Sequence, residues 1–191
     1  PPRIVETPSG MINSIGLANI GVEKYIKEML PVYEDLSTKI IMNIAGTDID
    51  EYIEILELME NQSSSITGYE INISCPNVNK GGMEFGIDCD MTAKLTEELR
   101  SRTDRLIIMK LSPNVSDIVS IGKASQDSGA DAVSAINTVV GMSINANTGK
   151  SNIFTTYGGL SGPAIKPIGL AAVNKLYKDL SDHKDFGERI D

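Results

Sequence analysis

Tryptophan is absent from the 191 residues, phenylalanine occurs only three times and histidine once, so any core must be mostly aliphatic. The lone histidine, His183, sits in a polar tail, and no pair of cysteines has metal-ligand spacing, so no metal site is expected. Two cysteines, Cys75 and Cys89, are too few for a disulfide framework and suit a reducing compartment. Positive charge is also scarce. With 17 Lys and Arg against 26 Asp and Glu, the net charge of -9 argues against a nucleic-acid partner, which needs a basic face, and against an anionic membrane surface. No apolar run approaches the ~18 residues of a membrane span. The opening PPRIVE has none of the apolar stretch of a signal peptide. A soluble, cytoplasmic protein is the expectation.

What is present is an alternation of two patterns. Apolar runs at 38–45 (TKIIMNIA), 68–74 (GYEINIS), 106–111 (LIIMKL) and 132–136 (AVSAI) read as buried parallel strands. Between them, 48–60, 90–102 and 115–127 carry apolar residues at three- and four-residue spacing, with Asp48, Asp90 and Ser116 placed to start helices. The repeat is roughly 30 residues, a βα series. A helix is expected from Val22 to Leu30, stopped by Pro31, and another over 163–180. Residues 1–21 and 137–162 read as irregular, and no linker divides 1–191, so a single domain is expected.

Ligand-type residues follow every strand: Asn43, then Cys75 with Asn77, then Lys110, then Asn137 with Thr138. A doubly wound sheet would gather them at one switch point, whereas a (β/α)8 barrel spreads them around its C-terminal mouth. Such a barrel has eight strands in about 250 residues. Only four strands are legible here.

Cys75 stands at the tip of a strand that Pro76 ends. With a reference pKa near ~8.5, its thiol can serve as a weak base for a proton made acidic by something else. A small buried core residue is the competing fate. Cys89, between Asp88 and Asp90, reads as a helix-start residue without chemistry. Lys110, at the end of LIIMK, needs an anionic or electron-rich partner, such as a flavin edge that gains charge on reduction, unless it snorkels past the strand end. Asn13, Asn43, Asn72, Asn77 and Asn137 offer the alternating donors and acceptors that a pyrimidine ring demands, although each alone fits a turn or cap. The GGLSG at 158–162 is either a ligand-approaching loop before a helix or a plain turn. Residues 81–86 (GGMEFG) read as a glycine-hinged lid or as an ordinary surface loop.

Five segments, NSIGLAN (13–19), NISCPNVNKGG (72–82), KLSPNV (110–115), INT (136–138) and GGLSGPAIKP (158–167), resemble the dihydroorotate dehydrogenases in order and spacing over nearly the whole chain. The cysteine is similar to that of the soluble class 1 enzymes, where the membrane-associated class 2 carries serine. NVNKGG with GGLSGPAIKP looks most like class 1B, the NAD-linked type.

The resemblance implies a TIM barrel that binds FMN and oxidises dihydroorotate to orotate in pyrimidine biosynthesis. Cys75 would be the catalytic base, removing the C5 proton as hydride passes from C6 to FMN. Asn13, Ser14, Ile15, Gly16, Leu17, Asn72, Asn77, Asn137 and Thr138 would hold the substrate. Asn43, Asn72, Lys110, Ile136 and Gly162 would contact FMN. A homodimer is implied, or a heterotetramer with a subunit carrying FAD and a 2Fe-2S cluster. Against the family's eight strands, the four here would be the third to sixth. This implies an internal portion with open sheet edges, an apolar inner face and weak FMN binding on its own. A related flavin enzyme acting on dihydropyrimidines and a non-catalytic barrel fragment are the alternatives, with a phosphate-binding isomerase-type barrel a remote one.

Overall fold

The computed structural model of the chain describes residues 2–62, 65–74 and 85–180. Two short strands open it, β1 (Ile4–Thr7) and β2 (Gly10–Asn13), followed by helices α1 (Val22–Glu28) and α2 (Leu30–Glu34). An alternating series comes next: β3 (Ile40–Ile44), α3 (Ile49–Glu60), β4 (Ile66–Asn72), α4 (Cys89–Arg100), β5 (Leu106–Leu111), α5 (Ile118–Asp127) and β6 (Ala132–Ala135). The chain then forms β7 (Val139–Met142), β8 (Tyr157–Ser161) and α6 (Lys166–Leu180).

Strands β3, β4, β5 and β6 make one sheet in sequence order, every neighbouring pair parallel. A doubly wound sheet would reverse its order at a switch point; this one only advances, as the wall of a barrel does. Burial alternates along the strands. Met42 and Ile44, Tyr69, Ile71 and Ile73, and Ile107, Met109 and Leu111 turn to the helical side. There they pack with Tyr52, Leu56 and Met59 of α3, Leu95 and Leu99 of α4, Ile121 of α5, and Leu176 and Leu180 of α6. The opposite face carries Ile41, Asn43, Glu70, Asn72, Ile108, Lys110 and Ser134. It is open enough to leave Ile41 40% exposed. The expected apolar inner face is therefore a mixed one, with isoleucines beside a polar group.

Side-chain caps start α3, α4 and α5. Asp48 accepts from the Glu51 backbone N–H at 2.9 Å, and Asp88 from that of Met91 at 2.9 Å. Asp90 lies in the first turn of α4, so the cap falls to Asp88; at α5 it falls to Asp117 rather than Ser116. Pro31 does not end a helix but occupies the first turn of α2, where its missing N–H costs nothing.

Residues 1–21 and 137–162 are less irregular than their composition suggests. They supply a second, antiparallel sheet in the order β1-β2-β8-β7, in which Asn13 pairs with Gly159 across most of the chain. Its strands are short and three of the four contain glycine, so pairing, between the neighbours β1 and β2 and β7 and β8 and at long range between β2 and β8, makes them strands rather than local propensity.

Tyr52, fully buried on α3, donates its hydroxyl to the Asn72 carbonyl at 2.7 Å and so ties the helix layer to the end of β4. Tyr52→Phe is expected to lower the unfolding free energy of the intact protein by about 1 kcal/mol, read as a reduced urea midpoint at unchanged slope.

Candidate active site

Parallel register decides which side chains meet. Asn43 on β3 is the Cα partner of Glu70 on β4, and Asn72, Lys110 and Ser134 line up across β4, β5 and β6. All five project from the same face, two adjacent rows at the C-terminal half of the strands. Glu70 binds three of the others. Its Oε2 accepts from Asn43 Nδ2 at 2.6 Å and lies 3.5 Å from Lys110 Nζ, while its Oε1 accepts from Ser134 Oγ at 2.7 Å. Burial pushes the Glu70 carboxyl up, but the hydrogen bonds from Ser134 and Asn43 and the Lys110 charge outweigh it and hold the group below the ordinary glutamate range.

Above this row the strand ends converge. Asn137 Nδ2 donates to Asn72 Oδ1 at 3.1 Å, and the Ser74 backbone N–H reaches the same oxygen at 3.3 Å. The Asn137 oxygen accepts from the Thr138 N–H at 2.7 Å. Ser74 Oγ donates to the Lys110 carbonyl at 3.2 Å, and the Asn137 N–H to the Leu111 carbonyl at 3.0 Å, so β4, β5 and the turn after β6 are stitched together. Among the described residues, Asn72 Nδ2 and Asn43 Oδ1 have no protein partner. The cluster thus presents an amide donor, an amide acceptor and an ammonium together. That donor set suits a flat ring with carbonyl and N–H edges that can gain negative charge.

Asn114, in the loop after β5, holds the turn that follows β6. Its Nδ2 donates to the Thr138 carbonyl at 2.9 Å, and its Oδ1 accepts from the Val140 N–H at 2.9 Å. Ile136 is half-buried and stands near Gly169 of α6. Gly162 has φ 96°, a left-handed conformation natural to glycine, and caps the short turn Pro163–Ile165 ahead of α6. Gly158 and Gly159, expected in a loop before the helix, instead lie inside β8.

The chain belongs to the dihydroorotate dehydrogenase family. The family model described as dihydroorotate dehydrogenase matches residues 1–184. The catalytic subunit of dihydroorotate dehydrogenase B (NAD(+)) of Porphyromonas gingivalis is 45% identical over 172 residues, covering 90% of this chain and 56% of that one. Its counterpart in Desulforamulus reducens is 46% identical over 177 residues, covering 93% and 58%. A putative dihydroorotate dehydrogenase A (fumarate) of Aquifex aeolicus is 44% identical over 189 residues, covering 99% and 60%. The chain spans somewhat more than half the length of these relatives. The family is a TIM-barrel family, in keeping with the advancing parallel strands.

Of the positions that the dihydroorotate dehydrogenase resemblance singles out, Asn72 and Asn137 meet directly, and Asn43 and Lys110 meet through Glu70. Thr138 adjoins them. Asn13 belongs to the other sheet, where its Nδ2 donates to the Gly159 carbonyl at 3.4 Å. Ser14, Ile15, Gly16 and Leu17 continue from β2 as an open loop; the Ser14 N–H is fixed on the Arg3 carbonyl at 2.8 Å. Among the described residues these four make no hydrogen bond to the parallel-sheet cluster. Cys75, Asn77, His183 and residues 81–84 of the expected lid lie outside the described residues. Phe85 and Gly86, the lid's other end, are buried in a short 3-10 turn against Ile73 and so belong to the core. Cys89 opens α4, where burial and then Asp88, Asp90 and Asp117 push its thiol up, away from the reactive thiolate.

Glu70 and Ser134 escaped attention in the sequence. The usable signal was period two: Glu70, Asn72 and Ser74 alternate on one face of GYEINIS, as Ile108 and Lys110 do in LIIMK.

A carboxyl whose folded value lies below its unfolded one stabilises the fold above the unfolded pKa, and loses that contribution as pH falls through the folded one. Glu70 is therefore expected to contribute fully above about pH 4.3, the reference glutamate value, and progressively less below it. In Glu70→Gln the acid limb of stability should be shallower, measured as a smaller drop in urea midpoint between neutral pH and about pH 3.5.

Proposed function

We propose that the intact protein oxidises dihydroorotate to orotate in pyrimidine biosynthesis, as a cytoplasmic FMN-dependent catalytic subunit whose barrel domain includes residues 1–191. The observation that carries this reading is the Asn72–Asn137 pair at 3.1 Å beside Lys110, at the strand end that leads in sequence to Cys75. Family membership supports it. With its oxygen taken up by Asn137 and Ser74, Asn72 has N–H groups without a partner among the described residues, as a carbonyl or carboxylate of a pyrimidine requires. Asn13, Ser14, Ile15, Gly16, Leu17, Asn77, Asn137 and Thr138 complete the substrate site in this reading.

The donor set also fits the flavin: Lys110 and Asn43 supply a cation and an amide beside Asn72, and Ile136 and Gly162 complete the flavin site in this reading. When bound, FMN supplies the acceptor for the hydride from C6. Cys75 takes the C5 proton. A thiol with a reference pKa near ~8.5 is a weak base, and it suffices because the neighbouring carbonyl acidifies that proton. Lys110 keeps a positive charge where negative charge gathers.

Relatives named as catalytic subunits of an NAD(+)-linked enzyme support a second subunit; in this reading that subunit carries FAD and a 2Fe-2S cluster and joins a homodimer of the catalytic chain.

In the intact flavin-loaded protein, Cys75→Ala is expected to keep its flavin while anaerobic reduction by dihydroorotate slows by about 10²–10⁴-fold, followed by rapid mixing at the flavin absorbance. The wild-type rate should climb with pH toward the thiol range. Undiminished reduction in the variant would remove Cys75 from the reaction. An intact protein that stays colourless after FMN is added, or that reduces uracil with NADPH in preference to oxidising dihydroorotate, would remove the reading itself.

A further inference from the structure

Glu70 is the one acidic side chain in the cluster, and neither the strand pattern nor the proposed chemistry demands it. A carboxylate on the inner face of a sheet is costly to desolvate, and replacing such an ion pair by apolar side chains is often neutral or stabilising. Although the ionised form is favoured over the protonated one in the fold, net stability gives little reason for glutamate rather than an apolar residue between Asn43, Lys110 and Ser134.

Its geometry gives a better one. An ionised carboxylate only accepts hydrogen bonds, so Asn43 must turn its Nδ2 toward Glu70, at 2.6 Å, which leaves its Oδ1 as the group on offer. With a neutral acceptor-donor in place of Glu70, both orientations of that amide would be satisfied. Lys110 Nζ, 3.5 Å from the same oxygen, is likewise held by a fixed charge that Ser134 Oγ anchors from β6 at 2.7 Å. The three partners come from three different strands, so the carboxylate cannot move without giving up a contact. Lys110 and Glu70 remain 31% and 23% exposed, so the pair is open enough to act on a neighbour.

Resting on the flavin reading above, we propose that Glu70 is a positioning residue: it fixes the orientation of the Asn43 amide and the place of the Lys110 ammonium. By offsetting the lysine charge, it also limits how strongly the site favours a reduced, anionic ring. Its role is distinct from that of Cys75, since it acts through Lys110 and touches no reacting atom.

Two readouts test this on the intact protein. The first needs no flavin: the rate at which Lys110 is acylated by an amine-selective reagent, resolved by peptide mass spectrometry. An amine drawn onto a carboxylate 3.5 Å away is less free to meet the reagent, so Glu70→Gln should speed acylation of Lys110 about threefold, while Lys123 and Lys175 react as before. Equal Lys110 rates in the two proteins, or a rise shared by all lysines, would overturn the coupling.

The second readout is the midpoint potential of bound flavin by dye equilibration. Glu70→Gln should tilt the two-electron equilibrium toward reduced flavin by about tenfold, equivalent to ~30 mV, and by much less in a Lys110→Met background. An unchanged potential, or the same shift in both backgrounds, would overturn the tuning role. Should the intact protein hold no flavin, the functional reading fails and the tuning role with it, while the acylation rates still decide whether Glu70 governs Lys110.

Discussion

Parallel pairing with a period of two fixes the character of this molecule. Once β3, β4, β5 and β6 are set side by side in register, Asn43 must face Glu70, and Asn72, Lys110 and Ser134 must share a row. No loop choice can separate them, and a slip of one residue would send all of them into the helix layer. The same register buries Tyr69, Ile71, Ile107, Met109 and Leu111 on the other side, so the hydrophobic term that holds the sheet also enforces the polar assembly.

The two ends of those strands are used differently. Near their N-terminal ends, Arg105 pairs with Glu60 at 3.1 Å, and Glu60 also accepts from the Tyr69 hydroxyl at 2.6 Å. Arg100 meets Asp131 at 2.9 Å just before β6, and reaches the carbonyls of Thr103 and Arg105 as well. Among the described residues these groups are bonded chiefly to one another. At the C-terminal ends the bonds among the described residues are incomplete: Asn72 keeps an N–H pair, Asn43 keeps an oxygen, and Lys110 keeps protons beyond its contact with Glu70. This division, stability at one rim and unspent valence at the other, is the pattern of a barrel whose chemistry lies at the C-terminal face.

The parallel strands, their helices and the places of Asn43, Asn72, Lys110 and Asn137 near strand ends were legible because burial on one face writes a local pattern. Glu70 was not, because a glutamate inside an apolar run reads as an interruption until its neighbours on β3, β5 and β6 are known. The demand that Lys110 find an anionic partner was sound chemistry; that Glu70 provides it within the chain could only come from register. The antiparallel sheet was hidden for a different reason. Strands of four or five residues containing Gly10, Gly141, Gly158 and Gly159 have turn-like composition, and only pairing such as Asn13 with Gly159 makes them strands. Ser116 lost the cap of α5 to Asp117 because a carboxylate one residue later reaches two backbone N–H groups, those of Val119 and Ser120.

That second sheet matters for the site because of how closely it is joined to the first. Gly159 lies against the side chain of Thr138, so closely that a Cβ there would overlap the Thr138 hydroxyl. Its carbonyl also takes the amide of Asn13. Thr138 is held in turn by Asn114, which bonds its carbonyl and the Val140 N–H. Asn13 on one sheet and Asn137 on the other are thus linked by a short path of direct contacts. The path has little slack, since Asn114 is pinned to Ser112 on its own loop. A larger residue at 159 would have to push β8 away from the turn after β6, carrying Asn13 and the 14–17 loop with it. Glycine at that point therefore does more than permit a strand: it sets the distance between the two groups of amides.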